Sequence, residues 1–285
     1  MKIALVLLLG LFLSGYAVAD TNYFVKGTGF WDDDARWRAE TGTETLELAP
    51  VNDAQAKINS KSGDTITLTN SAVIGYLALN DNDAGTLSVV IDGGELTSAA
   101  NNWNAIGYSR SSSMLITNGG SWNCAGRLDV GLFDGVNGQV NTFTMADNSG
   151  DVTVSDKFSL GFQFDGSHSA TTRAYIHGGT LSVGGDFKIA SAGDNILDLA
   201  GTGSVIIDGD KATTVQGYIL DGRITAYGGA GTPLVDYNAS HPGKTTIRAI
   251  AGLLNPEWHL ANTRYTTNEL IITPFDALTD FGIVA

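Results

Sequence analysis

The sequence has few of the residues that crosslink a chain or bind a metal ion. Cys124 is the only cysteine among 285 residues, so no disulfide can form within the chain, and we expect Cys124 to be a buried hydrophobic side chain. The four histidines include no pair at the close spacing of a zinc site, and we predict no metal and no cofactor. The Asn-Asp-Asn-Asp run at residues 80–83 could hold calcium, but it lacks the repeated glycine-aspartate nonapeptide, which favours a solvated loop.

Basic residues are also scarce. The chain has 16 Lys and Arg residues against 30 Asp and Glu residues, which gives a formal net charge of −14. Phosphate backbones repel such a protein, and this argues against nucleic acid as a partner. Apart from residues 32–34 the acids are scattered singly, as expected for a solvated surface.

Long apolar runs are confined to the first twenty residues. An apolar core at residues 3–13 follows Lys2, and a small-residue Ala-Val-Ala step follows at residues 17–19, so residues 1–19 are predicted to be a signal peptide. The mature chain would begin at Asp20 and would be secreted or displayed at the cell surface. No later segment approaches the roughly 20 apolar residues that span a bilayer, so we expect no membrane-spanning segment.

Glycine, by contrast, is abundant and regularly placed. Turn glycines recur at intervals of 24 to 30 residues, which is typical of stacked repeats. They are Gly94, Gly120, Gly150, Gly179 and Gly203. Residues two and four positions after each glycine form two sets, Leu96, Trp122, Val152, Leu181 and Val205, and Ser98, Cys124, Val154, Val183 and Ile207. Because alternate residues of a strand share a face, both sets are predicted to line one interior.

A third strand in each repeat ends in an apolar-Gly step. The steps are Ile106-Gly107, Val130-Gly131, Leu160-Gly161 and a weaker Ile189-Ala190, and Ile74-Gly75 resembles an earlier copy. The connections are too short for helices, so equivalent strands must stack in parallel at about 4.8 Å. The sequence therefore predicts an all-β, right-handed parallel β-helix, with its hand taken from the general preference of crossover connections. The predicted N-terminal cap is 20–62, the coils are 63–210, and the C-terminal coils and cap are 211–285.

Both ends of the predicted solenoid differ in sequence from the coils. An open end exposes the core and unpaired strand edges, so we expect Trp31 and Trp37 to pack as a lid over the first coil. Near the other end, residues 214–220 predict a short helix that stops at Gly222. Further strands are predicted at residues 223–227, 244–250 and 268–273.

Several short motifs follow one another along the chain. They are the tryptophan pair, Pro50, an Asp53-Ala54 step, a Gly-Asp-Thr-Ile-Thr-Leu strand at residues 63–68, and Gly-Gly coils. Over roughly residues 29–210 they resemble the secreted β-helix proteins related to autotransporter passenger-associated repeats. The resemblance implies export and a β-helix, and it implies no particular reaction.

Charged residues flank the third strand of three successive coils. Arg127 and Asp129 flank Leu128, Lys157 and Ser159 flank Phe158, and Asp186 and Lys188 flank Phe187. In register they would form two outward columns that could bind an acidic polysaccharide. A lyase acting on a uronic acid needs a cation near the sugar carboxylate and a base, for which Arg127 and Lys157 are the candidate catalytic residues. The alternative is a ladder of opposite charges that stabilises the stack and binds nothing.

Aromatic residues divide by their position in the repeat. Trp103 stands one residue before the position of Leu128, in a polar run at residues 101–104, and is predicted to face outward onto a glycan. Another set follows the third-strand glycine and is predicted to form an internal stack at one corner. Its members are Tyr76, Tyr108, Leu132 and Phe162. The glycan-binding candidates are therefore Trp103, Arg127, Asp129, Lys157 and Lys188.

The pattern leaves three functions open. We favour a structural or adhesive module that binds an extracellular polysaccharide or cell-surface glycan without catalysis. The alternative is a polysaccharide lyase or hydrolase acting on an acidic polysaccharide, and an assay for unsaturated or reducing ends would separate the two. Small polar residues on the outward side of the second strands suggest ice binding, but mixed charges and uneven coil lengths oppose it.

Overall fold

The computed structural model describes residues 21–41, 44–47, 49–50, 55–80, 85–99, 102–132, 138–161, 170–252, 264–266 and 269–271. The predicted signal peptide at 1–19 lies outside the described residues, as do most of the 80–83 run, Phe162, His168 and His259. Within the described part of the chain, no helix combines the length and the apolar character needed to cross a bilayer.

Three long sheets, with strands between Thr21 and Ile250, form a β-solenoid of about 6 turns. Sheet A contains β1 (Thr21–Val25), β3 (Trp37–Thr41), β4 (Glu44–Leu46), β5 (Gln55–Asn59), β8 (Tyr76–Leu79), β11 (Trp103–Ile106), β14 (Arg127–Val130), β17 (Phe158–Leu160) and β20 (Phe187–Ile189). Sheet B contains β2 (Gly29–Phe30), β6 (Asp64–Leu68), β9 (Leu87–Asp92), β12 (Ser112–Thr117), β15 (Val140–Met145), β18 (Thr171–Ile176), β21 (Asp194–Leu199) and β23 (Ile224–Ala226). Sheet C contains β7 (Ser71–Ile74), β10 (Glu95–Ser98), β13 (Ser121–Cys124), β16 (Val152–Val154), β19 (Thr180–Val183), β22 (Ser204–Asp208), β24 (Thr232–Tyr237) and β25 (Lys244–Ile250).

Among the described residues, the other elements are one α-helix, two 3-10 turns and a small hairpin. They are α1 (Ala212–Leu220), the 3-10 turns Asp34–Arg36 and Tyr227–Gly229, and the antiparallel pair β26 (Arg264–Thr266) and β27 (Glu269–Ile271). Each complete coil runs from sheet B through sheet C to sheet A. Along the coils each strand pairs in parallel with its equivalent one coil later, so the predicted stacking is confirmed.

The predicted interior columns are confirmed residue by residue. The register in sheet C aligns Leu96, Trp122, Val152, Leu181 and Val205 one above another. All five are buried, as are Cys124, Val154 and Val183 in the neighbouring column. The Trp122 indole donates to Ser98 Oγ at 3.0 Å, which explains why a serine occupies an otherwise apolar column.

A buried asparagine links three coils inside sheet A. Asn104 Oδ1 accepts from the Leu77 backbone N–H at 2.9 Å, one coil before it. Its Nδ2 donates to the Arg127 carbonyl at 3.2 Å and to Cys124 Sγ at 3.1 Å, one coil after it. This carboxamide therefore has its hydrogen bonds satisfied in the core, which removes the usual cost of burying a polar group.

The glycine of the apolar-Gly step is required for two reasons, its positive φ and the lack of room for a Cβ atom. Gly107 and Gly161 have φ values of 75° and 74°. A Cβ on either glycine would overlap the buried carboxamide of Asn141 or Asn195 respectively. Glycine is required here because a larger residue would have to displace an asparagine that is hydrogen-bonded at the start of a sheet B strand.

One strand assignment from the sequence is wrong. Ile74 ends β7 in sheet C, where it pairs with Ser98, so Ile74-Gly75 is not a third-strand step. Gly75 forms a one-residue corner, and β8 begins directly after it at Tyr76. Tyr76 consequently falls in the column of Trp103 and not in that of Tyr108.

Both ends of the solenoid are closed. Trp31 and Trp37 are buried and meet edge to face at 5.4 Å, which confirms the predicted lid. β5 lies inside the predicted cap but pairs in parallel with β8, so the stack begins with it. At the far end, β25 pairs antiparallel with β22, and α1 buries Val215 against the core, in agreement with the predicted helix and the strand at 244–250.

Candidate functional site

The outer face of sheet A carries all of the residues proposed from the sequence. Its first outward column is Tyr76, Trp103, Arg127, Lys157 and Asp186, and its second is Lys57, Ala78, Ala105, Asp129, Ser159 and Lys188. The two predicted columns of charged residues are therefore confirmed in register. Trp103 pairs directly with Arg127, which places an indole and a guanidinium on adjacent strands, about 4.8 Å apart.

Trp103 belongs to a stack of three aromatic rings. The Tyr76 ring lies 5.3 Å from it with an interplanar angle of 29°, and the Tyr108 ring lies 4.9 Å from it at 28°. Tyr76 is buried, whereas Trp103 and Tyr108 are half-buried. Such stacking fixes the rings, so the half-buried Trp103 and Tyr108 reach the surface together as part of a rigid aromatic platform.

The sequence analysis did not predict this stack, because it assigned Tyr76 and Tyr108 to an internal cluster. The register puts Tyr76 on the outward side of β8, and Tyr108 follows β11 at the next corner. Leu132 is buried as predicted. Phe162, the last predicted member, lies outside the described residues.

Asp129 lies in an outward column, as predicted, yet its side chain is fully buried. Arg127 Nε lies 2.8 Å from Asp129 Oδ2. Burial raises the pKa of the Asp129 carboxyl above its ordinary value of 3.8, and the nearby Arg127, the Ser159 hydroxyl and Lys157 oppose that shift. A ligand at this face would therefore meet Arg127 before it met Asp129.

The remaining candidates lie further along the same columns. Lys157 is half-buried, and its backbone carbonyl accepts from Leu128, which places it next to Arg127. Lys188 is exposed at the far end of the second column. Asp186, also exposed, lies 3.7 Å from Lys211 at the start of α1. The face thus changes along the solenoid axis from aromatic to cationic.

A second constellation was not anticipated from the sequence. His177 Nε2 lies 3.4 Å from Asp198 Oδ2, and the Tyr175 ring meets the imidazole edge to face at 5.7 Å. Asp198 is 21 residues further along the chain, so the contact depends on the length of one coil. The contact between His177 and Asp198 can be predicted from the sequence only once the sheet B strands have been aligned.

Among the described residues, no three His, Cys, Asp or Glu side chains come close enough together to hold a metal ion. A groove of about 450 Å³ lies between the last coil and the end of α1, lined in part by Asn195 and Arg223. Arg223 is ion-paired with Asp221 and donates to the Ile189 carbonyl at 2.7 Å, so its guanidinium has a structural role.

No protein-family model, curated protein or solved structure matches this sequence. The resemblance to autotransporter passenger-associated repeats thus has no family match behind it. The β-solenoid architecture itself is established by the strand pairing.

Proposed function

We propose that this chain is a secreted or cell-surface structural or adhesive β-solenoid that binds an acidic extracellular glycan on the outer face of sheet A, without catalysis. The observation that carries the proposal is the platform of Tyr76, Trp103 and Tyr108 next to Arg127. Aromatic faces stack on the C–H faces of pyranose rings, and guanidinium groups bind carboxylates. The two chemistries are adjacent here.

The direction of the columns supports an extended ligand. Going from Trp103 through Arg127 to Lys157 crosses two strand spacings, or about 10 Å. Lys188 lies one coil beyond Lys157, in the neighbouring column. A polysaccharide lying along the solenoid axis could place one sugar on the platform and its following carboxylates near the cations.

Secretion forms part of the same proposal. It rests on the signal-like segment at 1–19 and on the resemblance to secreted β-helix proteins. Mass spectrometry of protein recovered from the native host's medium or envelope tests it. A mature chain that starts at Asp20 supports export, and mature material that retains residues 1–19 contradicts it.

Calorimetric titration with uronic-acid oligomers tests the binding site. Trp103→Ala should lower affinity by about 1–3 kcal/mol, because a single aromatic anchor commonly contributes that much. Tyr237→Ala removes an exposed aromatic from the C-terminal cap and is the matched control. If Trp103→Ala binds as tightly as the wild type while remaining folded, the platform is not the site.

Salt dependence tests the cationic part of the site. Lys157→Ala and Lys188→Ala should weaken binding of the uronic-acid oligomers at low salt and have little effect at high salt, because exposed charges are screened. Neither variant should change binding of a neutral oligomer. Arg248→Ala, at an exposed arginine of the cap that pairs with Asp236, controls for net charge.

A polysaccharide lyase or hydrolase is the second candidate, favoured by one specific observation. Asp129, whose carboxyl pKa is raised, lies beside Arg127 and Lys157. Carboxyl groups with shifted pKa values are common at catalytic sites. In that case Lys157→Ala should abolish product formation with little loss of affinity, because a group that acts in the transition state affects the rate. Release of unsaturated or reducing ends by the wild type, lost in folded Lys157→Ala, would favour the enzyme.

A further inference from the structure

Tyr227 adopts a backbone conformation that a tyrosine rarely adopts. Its φ is 51°, and Gly228 and Gly229 continue in the same left-handed region at 63° and 91°. These residues form the 3-10 turn between β23 and β24. For a residue with a bulky side chain, positive φ is strained and persists only where the surrounding contacts impose it, and such strain is concentrated at functional sites.

The contacts around Tyr227 fix its ring but leave it accessible. The hydroxyl oxygen accepts from the Gly201 backbone N–H at 3.2 Å. The ring lies against Gly231, where a Cβ would stand 2.6 Å from the ring carbon Cδ2. Even so, 36% of the residue is exposed. The strained turn therefore presents an immobilised aromatic ring to solvent.

The imidazole of His177 lies on the same corner of the solenoid. Ile176, Leu199 and Ala226 are aligned in sheet B, so the residues that follow them, His177, Ala200 and Tyr227, stand one above another. The small Ala200 separates the two ring-bearing residues. The backbones of His177 and Tyr227 therefore lie two strand spacings apart, and the Tyr227 side chain reaches back across Ala200 to Gly201. We call the surface between the imidazole and the Tyr227 ring the notch.

Asp198 orients the imidazole. Its Oδ1 accepts from Thr225 Oγ1 at 2.6 Å and from the Gly228 N–H at 2.9 Å, while Oδ2 faces His177 Nε2. The His177 side chain is 33% exposed, whereas that of Asp198 is almost fully buried. The carboxylate thereby ties the imidazole to the same turn that positions Tyr227.

Asp147 adds a polar group at the edge of the notch. It is exposed, and its Oδ1 lies 3.3 Å from the position that a Cβ on Gly201 would occupy. The residues of the notch are Tyr175, His177, Asp198, Ala200, Gly201 and Tyr227, with Asp147 at its edge. This set includes two carboxylates and no lysine or arginine. Its chemistry differs from that of the outer face of sheet A, where Trp103 is followed by cations.

We propose that the notch is a second carbohydrate site, specific for an uncharged pyranose. The Tyr227 ring would stack on the sugar, and His177 and Asp147 would hydrogen-bond its hydroxyl groups. The carboxylates would repel a uronic acid, so the two sites would select different sugars. The alternative role is a latch, in which Asp198 and Tyr227 only close the end of the solenoid.

The test is calorimetric titration of the full mature chain with three probes: cellohexaose, chitohexaose and a hexamer of galacturonic acid. We expect at least one neutral probe to bind the wild type and Trp103→Ala equally, and to lose at least about tenfold in affinity in His177→Ala and in Asp147→Ala. Tyr227→Phe keeps the ring but loses the bond to Gly201. It should lower the melting temperature and retain binding.

Three results would overturn the proposal. They are no binding of either neutral probe to the wild type, unchanged neutral binding in both His177→Ala and Asp147→Ala, and a neutral affinity that Trp103→Ala removes. Binding of the acidic hexamer is read separately with Trp103→Ala, so failure of the notch and failure of the sheet A site are distinguishable. If neutral binding is unchanged in both variants and His177→Ala has a lower melting temperature, the cluster is a latch alone.

Discussion

The outer faces of sheets A and B are built on the same coils but differ in chemistry. In four successive coils, one outward column of sheet B is half-buried and contains only small hydroxyl-bearing residues, Thr65, Ser88, Ser113 and Thr142. The first outward column of sheet A changes along the coils from aromatic at Trp103 to cationic at Arg127 and Lys157 and then to acidic at Asp186. A regular column needs only to be soluble, and both faces depart from the repeat where a site is proposed, at Trp103 and Arg127 in sheet A and at Tyr175 and Asp198 in sheet B.

The two faces also differ in burial. In sheet A the outward residues Ala78, Ala105, Asp129 and Ser159 are buried to the same degree as the interior. In sheet B, Ser113 is half-buried, and its hydroxyl donates to Ser88 at 2.7 Å. Facing outward from a coil is therefore not the same as being exposed.

A polar substitution on each face should give the largest contrast. Ala105→Gln places a larger polar group at a buried outward position and should cost at least about 2 kcal/mol of unfolding free energy. Ser113→Gln, at an outward position of sheet B, should stay within about 0.5 kcal/mol of the wild type. Urea denaturation of both variants checks this, and equal costs would remove the distinction between the faces.

The corners that follow the two sheets can be compared through their glycines. Gly107 follows sheet A and Gly119 follows sheet B, with φ of 75° and 78°, but a Cβ at Gly119 would meet nothing within 4 Å. Both alanine variants carry the same backbone strain, and Gly107→Ala must also displace Asn141. We expect Gly107→Ala to cost about 1–3 kcal/mol more than Gly119→Ala by thermal denaturation. Equal melting temperatures would mean that Asn141 moves freely.

The buried carboxyl of sheet A should show itself in the pH dependence of stability. Because the pKa of Asp129 is raised in the folded state, ionisation opposes folding, and stability is lost as pH rises from 3.8 through the raised value. Asp129→Asn cannot ionise, so its stability relative to the wild type should increase between about pH 4 and pH 7. Urea titrations across that range measure the difference, and Asp151→Asn, at an exposed acid, controls for net charge. A pH-independent difference would contradict the burial of Asp129.

The sequence predicted the interior far better than the surface. Alternation fixes which side chains share a face, so the column of Leu96, Trp122 and Val152 followed directly from the turn glycines. The strand at Lys244–Ile250 and the helix before Gly222 were likewise recognisable from local pattern. Local patterns suffice where each coil repeats the one before it.

The surface depends on contacts that local pattern does not contain. Tyr76 was misplaced because Gly75 is a corner of one residue, which shortens the first coil. The ion pair between Asp129 and Arg127 depends on side-chain conformations, and the contact between His177 and Asp198 depends on the length of one coil. None of these features can be predicted before the register of the strands is known.

The most direct test of the proposed sheet A site uses the indole N–H resonances of the five tryptophans. Trp31, Trp37 and Trp122 are buried, whereas Trp103 is half-buried on the platform. During titration with the galacturonic acid hexamer, the account predicts a saturable shift of the Trp103 resonance, assigned with Trp103→Phe, and no shift of the three buried indoles. Saturable binding of the hexamer that leaves the Trp103 resonance unmoved would contradict it.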